Sequence, residues 1–227
     1  MRLLLLNGNS NAALTAQMTE EARRILGQSV EVLSDTATES VPYIGSRRDC
    51  ALAGAELVKL VEIHLAKDDR RYDAILLSCF GEPGIAAVRE ISPVPVVGML
   101  ESSLLTAQQL GGRFSILTPG ERWPKMIEEV VYDLGLARRC LAIEAINIED
   151  LKLPSQREEM HHRLAETLTR HQKRLNPDVT IIGGAAFAGL ATSLPAQHNS
   201  RLVDCFEAAI LQCQALMQLG GESTRIL

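Results

Sequence analysis

The chain has 227 residues, of which 46% are hydrophobic and 22% are charged. This composition is close to the average of soluble globular proteins and excludes a disordered or fibrous chain. The net charge of −5 and the pI near 5.6 exclude the basic surface that a nucleic-acid-binding protein needs. The apolar run at residues 3–6 is too short for a signal peptide and no later run would span a bilayer, so we expect a cytoplasmic protein that binds neither membranes nor nucleic acid.

Short apolar runs alternate with longer amphipathic segments, which predicts strands alternating with helices around a parallel sheet, an α/β fold. In chain order, the predicted elements are strand 2–6, helix 13–26, strand 30–33, helix 50–66, strand 74–77, helix 84–90, strand 94–97, helix 103–110, strand 114–117, helix 124–134, strand 141–146, helix 157–175, strand 179–182, strand 202–203 and helix 206–218. One face of helix 50–66 is predicted to pack on a sheet through Ala53, Leu57, Leu60, Val61 and His64.

Strand-to-turn segments occur in matching pairs, which predicts an internal repeat. Residues 4–10 match 115–121, residues 75–81 match 180–186, and residues 95–98 match 201–204. We therefore expect two similar halves, 1–102 and 103–204, with a C-terminal helix in 205–227 that packs back on the first half. Because open α/β sheets bind ligands at the carboxyl ends of their strands, the repeat predicts a cleft in which Cys79 and Gly184 face each other.

Cys79 follows a predicted buried strand in the run Ser-Cys-Phe-Gly-Glu-Pro-Gly at residues 78–84. A cysteine reacts as thiolate, and the amide groups of a helix N-terminus lower the pKa of a thiol. Gly81 and Gly84 allow a tight turn, and Pro83 suits a first helical position. The alternative is that Cys79 is a small buried hydrophobic side chain, which is the usual role of a free cysteine.

The other cysteines and the five histidines indicate no metal or disulfide chemistry. The five cysteines are an odd number without a C-x-x-C pair or a histidine at metal-ligand spacing. We interpret the histidines as structural or solvent-exposed. Cys50, Cys140 and Cys213 are interpreted as packing residues, whereas Cys205 follows Asp204 at a strand end and is a candidate site residue.

Polar turns after the predicted strands supply groups that could hold a carboxylate or carbonyl compound. Asn7, Asn9 and Ser10 follow the first strand, and Thr118 follows the fifth. Asn9 and Ser10 are equally suited to N-capping of the next helix, and Glu101 is either a site residue or a cap. The run Gly-Gly-Ala-Ala at residues 183–186 lacks the G-x-G-x-x-G spacing of a dinucleotide site, so no cofactor is expected.

Three motifs resemble those of the aspartate/glutamate/hydantoin racemase superfamily, most closely the hydantoin and allantoin racemases. Residues 5–10, Leu-Leu-Asn-Gly-Asn-Ser, are similar to the opening I-N-P-N-S/T, residues 78–84 are similar to A-C-F-G-D-P-G, and residues 95–98, Pro-Val-Val-Gly, with Glu101 complete the likeness. The resemblance implies two similar parallel-sheet, flavodoxin-like halves related by pseudo-two-fold symmetry, no cofactor, and two cysteines that remove and return a Cα proton.

The resemblance assigns catalysis to Cys79. The predicted substrate-binding residues are Asn7, Asn9, Ser10, Phe80, Gly81, Glu101, Thr118, Gly184 and Ala185. Where the family has L-G-C-A-G-M, residues 182–187 read Ile-Gly-Gly-Ala-Ala-Phe, so Gly184 stands in place of the second cysteine. Since glycine cannot transfer a proton, inversion would require Cys205, water or a substrate group.

Three functions are compatible with these residues. The first is a racemase or isomerase acting at the carbon alpha to a carboxylate or ring carbonyl. The second is a one-cysteine decarboxylase or lyase of the arylmalonate decarboxylase type, and the third is a small-acid binding protein without activity. In each, the partner is a small molecule, either amino-acid-derived or a carboxylate or hydantoin-like compound, and we expect a homo-oligomer.

Overall fold

The computed structural model describes residues 1–67, 71–147, 157–194 and 200–223 of the chain. The strands are β1 (Arg2–Asn7), β2 (Glu31–Thr36), β3 (Ala74–Leu77), β4 (Val96–Gly98), β5 (Phe114–Pro119), β6 (Cys140–Ile146), β7 (Val179–Ile182) and β8 (Arg201–Asp204). The α-helices are α1 (Ala12–Leu26), α2 (Arg47–Leu65), α3 (Ile85–Ile91), α4 (Met99–Leu110), α5 (Trp123–Asp133), α6 (Arg157–Leu175) and α7 (Cys205–Ser223). Short 3₁₀ helices occur at Gly27–Ser29, Ala185–Phe187 and Ala191–Ser193.

The chain divides into two compact units. The first contains Met1–Ser102 and the segment that begins at Phe206, and the second contains Ser103–Cys205. Each unit has a four-stranded parallel sheet, with strand order β2-β1-β3-β4 in the first and β6-β5-β7-β8 in the second. The predicted α/β fold with two similar halves is confirmed.

The two sheets share one register, which the sequence repeat predicted. Leu6 lies opposite Leu77 in the first sheet, and Leu117 lies opposite Ile182 in the second. The next residue of β3 and of β7 donates its N–H to the same partner: Ser78 to the Leu6 carbonyl at 2.9 Å, and Gly183 to the Leu117 carbonyl at 2.8 Å. Cys79 and Gly184, one residue further on, therefore occupy equivalent positions.

Apolar burial holds each sheet to its helices. In the first unit, the predicted α2 face buries Ala53, Leu57, Val61 and His64, and only Leu60 is partly exposed. Leu57 and Val61 belong to the core cluster that covers β1 and β3. In the second unit, Leu164 and Leu168 of α6 pack in the same way on β5 and β7.

The starts of α2, α3 and α4 differ from the prediction in their bounds or caps. α2 begins at Arg47, three residues before the predicted start, with Ser46 as its N-cap. α3 begins at Ile85 with Gly84 as its N-cap, so Pro83 precedes the helix and its predicted first helical position is wrong. α4 begins at Met99, four residues before the predicted start, because a distant carboxylate caps it, as described below.

No helix in the four described ranges is long and apolar enough to cross a bilayer. Within the same ranges, no group of three or more His, Cys, Asp or Glu side chains is arranged to hold a metal ion. Of the five histidines, His198 lies outside the described residues.

Candidate active site

Two loops of the first unit emerge side by side at the carboxyl edge of its sheet, because β1 and β3 are parallel neighbours. Six of the predicted site residues lie at or in these loops: Asn7, Asn9, Ser10, Cys79, Phe80 and Gly81. The structure thus brings together the asparagine turn and the cysteine turn that the sequence motifs singled out.

Asn7 is fully buried and orders the turn after β1 from inside. Its Nδ2 group lies 3.0 Å from both Asn9 Oδ1 and Thr15 Oγ1, and 3.2 Å from the Asn11 carbonyl. Its Oδ1 accepts the Asn9 N–H at 3.2 Å. The Asn7 amide is therefore used within the turn, and its contact with a substrate stays a prediction.

Asn9 and Ser10 do not cap α1. The cap is Asn11, whose Oδ1 accepts the Leu14 N–H at 3.1 Å. Asn9 Oδ1 accepts the Asn11 N–H at 2.9 Å, while its Nδ2 makes no hydrogen bond to another described residue. Ser10 donates its N–H to the Val41 carbonyl at 3.0 Å. The Nδ2 group of Asn9 is thus a polar group of this turn that is available to a ligand.

Burial dominates the chemistry of the Cys79 sulfur. Cys79 is 8% exposed, and desolvation raises the pKa of its thiol to about 12. Hydrogen bonding by the backbone of Gly81 and of Glu82 lowers the pKa, while charge at Cys50 on α2 and at Glu82 raises it further. The predicted lowering of this pKa is wrong, because desolvation outweighs the hydrogen bonding that would lower it.

This environment favours Cys79 as a proton carrier. At neutral pH the sulfur holds its proton and is a thiol that can donate it. Once the proton is lost, a sulfur with so high a pKa is a strong base. The two turn amides supply the stabilisation that a transient thiolate needs.

Glu82 links the cysteine turn to α4. Its Oε1 accepts the Glu101 N–H at 2.7 Å, and its carboxylate also receives the Leu100 N–H. Burial raises the pKa of this carboxyl group to about 7, with a further rise from Glu101 and opposing effects of the two N–H groups and Arg89. Gly98 leaves room for the side chain, since an added Cβ would lie 2.7 Å from Glu82 Cγ and closer to its carboxyl group.

Glu101 lies in the first turn of α4, beside the cysteine turn. Its carboxylate pairs with Arg89 of α3, which also donates to the Val96 carbonyl at 3.1 Å. The Glu101 side chain is therefore held by an ion pair, and its backbone N–H is capped by Glu82.

The remaining predicted site residues, Thr118, Gly184 and Ala185, belong to the second unit. Thr118 is 1% exposed near the end of β5, and Ala185 begins a 3₁₀ helix after β7. The Gly184 N–H donates to the sulfur of Cys205 at 3.3 Å. Cys205 is fully buried as the first residue of α7 and follows Asp204, which accepts the Gly189 N–H at 2.9 Å.

Gly184 has a backbone that disfavours any other residue. Its φ of +125° lies in a region that side chains rarely adopt. An added Cβ would also lie 2.5 Å from Pro119 Cδ. Glycine at this position is therefore fitted to its surroundings.

A family model described as Asp/Glu/Hydantoin racemase matches residues 3–213. The chain belongs to this family. It is 26% identical over 226 residues to a hydantoin racemase of Rhizobium meliloti, which covers 100% of this chain and 92% of the relative. It is 27% identical over 229 residues to a hydantoin racemase of Paenarthrobacter aurescens, and the match covers 99% of this chain and 94% of the relative.

Solved structures agree with the racemase family assignment. The allantoin racemase of Klebsiella pneumoniae has a TM-score of 0.88 at 25% identity and covers 97% of this chain and 89% of its own. A Gly-to-Cys, Cys-to-Ser double mutant of arylmalonate decarboxylase has a TM-score of 0.69 at 11% identity, covering 95% of this chain and 92% of its own, which shows a shared fold alone. The predicted family, and the likeness to hydantoin racemases, are confirmed.

Each unit of this racemase-family chain also holds a histidine–carboxylate pair that the sequence analysis missed. His64 Nε2 lies 2.8 Å from Asp35 Oδ2, and its Nδ1 lies 2.8 Å from the Tyr72 hydroxyl. His171 Nδ1 lies 2.8 Å from Glu144 Oε2, and burial lowers the pKa of His171.

The repeat contains the signal that would have revealed these pairs. Asp35 lies opposite Leu6 in the first sheet, and Glu144 lies opposite Leu117 in the second, so the carboxylates hold matching positions. Each histidine lies on the helix that follows the strand of its carboxylate. Aligning the two halves beyond their turns would have paired the four residues.

A pocket of about 550 Å³ lies in the second unit, between β6 and α6. It is lined by residues 143–147 and by Arg163, Glu166, Thr167 and Arg170. None of the predicted site residues line it, so it is separate from the candidate active site.

Proposed function

We propose that this protein is a cofactor-independent isomerase of the racemase family that transfers a proton at the carbon alpha to a carboxylate or ring carbonyl through Cys79. The observation that carries the proposal is the position of Cys79 in the turn directly after β3, beside the asparagine turn that follows β1. The hydantoin racemases among its relatives support this reaction class.

The adjacent carbonyl of such a substrate makes the chemistry possible for a thiol. The thiol first releases its proton to solvent, and the thiolate then takes the Cα proton and becomes a thiol again. This leaves an enolate, whose charge is spread over the carbonyl oxygen. The resulting thiol, or another proton donor, then returns a proton to the carbon. Asn9 Nδ2 in the neighbouring turn is suited to hold a substrate carbonyl, because it has no hydrogen-bond partner among the described residues.

The test replaces Cys79 by Ser and supplies allantoin and substituted hydantoins as single enantiomers in D₂O. NMR reports exchange of the Cα proton, and chiral chromatography reports inversion. We expect Cys79→Ser to lower turnover by about a hundredfold or more, the usual contribution of a proton-transferring side chain. Cys140→Ser in the second unit is the matched control and should retain activity. Unchanged turnover in Cys79→Ser would refute the proposal.

A second candidate follows from Gly184. The motif resemblance places the family's second cysteine there, and the +125° φ and the Pro119 contact favour glycine over any residue with a Cβ. One thiol is sufficient for a decarboxylase or lyase in which Cys79 protonates a carbanion from one side. Release of CO₂ from arylmalonates, or rapid exchange with retained configuration, would favour this function over racemisation.

The third possibility, a small-acid binding protein, is separated by the same compounds. A ligand that is bound and not consumed raises the melting temperature by mass action. A thermal shift without exchange, inversion or CO₂ release would indicate binding alone. Product from any of these compounds would exclude it.

A further inference from the structure

Glu82 has a backbone conformation that is unusual for its residue type. Its φ is +50°, in the left-handed region, where a residue other than glycine costs about 1–3 kcal/mol and persists only where the surroundings impose it. Its N–H donates to the Cys79 carbonyl at 3.0 Å. This backbone conformation therefore forms part of the surroundings of the thiol.

The side chain of the same residue crosses to another element. The Glu82 carboxylate receives the N–H groups of Leu100 and Glu101, which α4 leaves without helical partners in its first turn. The space it occupies exists because residue 98 is glycine. Backbone and side chain together tie the cysteine turn to the start of α4.

Two charged side chains act on the Glu82 carboxylate. Arg89 of α3 and Glu101 of α4 face it, and they pair with each other. Negative charge at Glu82 and at Cys50 of α2 raises the pKa of the Cys79 thiol. A negative charge at Glu82 therefore acts directly on the proton equilibrium of the thiol.

We propose that Glu82 is a positioning residue for Cys79: its side chain fastens the cysteine turn to α4 and holds a carboxylate in the turn that carries the thiol. The catalytic consequence of this positioning rests on the function proposed for Cys79. Glu82→Gln keeps a side-chain oxygen that accepts the α4 N–H groups but removes the charge. Glu82→Ala removes both, so the two variants separate charge from attachment.

The experiment measures alkylation of Cys79 by iodoacetamide in the full-length chain from pH 6 to pH 10, by mass spectrometry of the Cys79 peptide. Alkylation needs no substrate, so its result is independent of the turnover of Cys79→Ser. The Cys140 peptide is the internal reference, and Glu90→Gln on the exposed side of α3 is the control variant. Circular dichroism confirms that each variant is folded.

We expect Glu82→Gln to raise the alkylation rate at pH 8 by about three- to tenfold, the effect of removing a nearby unit charge in a partly solvated site. The wild-type profile should bend near pH 7, where Glu82 ionises, and the bend should disappear in Glu82→Gln. Glu82→Ala should react more slowly than Glu82→Gln, because the turn amides lose their alignment on the sulfur. Coincident profiles for wild type and Glu82→Gln would overturn the proposal, even if Glu82→Ala does not fold.

Discussion

Gly98→Ala tests whether the Glu82 carboxylate is held in place by the missing side chain at position 98. The new Cβ would lie 2.7 Å from Glu82 Cγ and closer to the carboxyl group, so Glu82 must leave its place on α4. The hydrogen bond from the Glu101 N–H to this charged group is then lost, which costs about 1.5–3 kcal/mol. Solvation of the released carboxylate and the lower chain entropy of alanine offset part of this, which leaves a destabilisation of about 1–2 kcal/mol.

The assay is urea unfolding at pH 8 followed by circular dichroism, in a double-mutant cycle with Glu82→Ala. In the Glu82→Ala background the carboxylate that the new methyl group would meet is gone, so Gly98→Ala should cost much less there. Gly220→Ala in α7 is the control: its added Cβ meets no heavy atom within 4 Å, and it should stabilise by about 0.5–1 kcal/mol. Additive effects of Gly98→Ala and Glu82→Ala would refute the reasoning.

Two further predictions concern stability. Burial raises the pKa of Glu82 from its ordinary value of 4.5 to about 7, so between these pH values the folded state binds more protons than the unfolded state. Stability should therefore fall as pH rises through this window, by at most about 3 kcal/mol. Glu82→Gln should reduce the difference in stability between pH 5 and pH 8 in urea unfolding, and an unchanged difference would contradict the raised pKa of Glu82. Gly184→Cys should lower the free energy of unfolding by about 2–4 kcal/mol through its +125° φ and its contact with Pro119, and an unaltered urea midpoint would show that the position accepts a side chain.

Strands with uniform apolar runs were predictable from local sequence. β3 and β7 have the predicted bounds, because their four buried residues lie between polar or turn-forming neighbours. The repeat fixed the correspondence of Leu77 with Ile182, since matching turns follow both strands. The start of α4 was missed because its N-terminal cap is Glu82, a residue in a different loop. The residues around the start of α4 therefore do not reveal its cap, because the capping side chain is distant in sequence.

In the candidate site, too, the local features were predictable and the features that depend on the fold were not. Motif and strand position identified Cys79 and the asparagine turn, which are properties of short segments. The direction of the Cys79 pKa shift was not predictable, because it depends on desolvation by the packed chain. The roles of Glu82 and Gly98 were missed for a similar reason: a carboxylate and a glycine from different elements share one space.

The two units have the same strand order but different residues in the turns that follow their strands. At matching positions after β3 and β7, the first unit has Cys79, whereas the second has Gly184, whose N–H reaches the Cys205 sulfur at 3.3 Å. Under the proposed function, a reaction that needs one thiol is satisfied by Cys79 and the amides of its own turn. If a single enantiomer is inverted, the second proton must come from another group, and Cys205 is the sulfur that contacts Gly184. Exchange without inversion would instead leave Cys205 a buried side chain that orders the turn after β7.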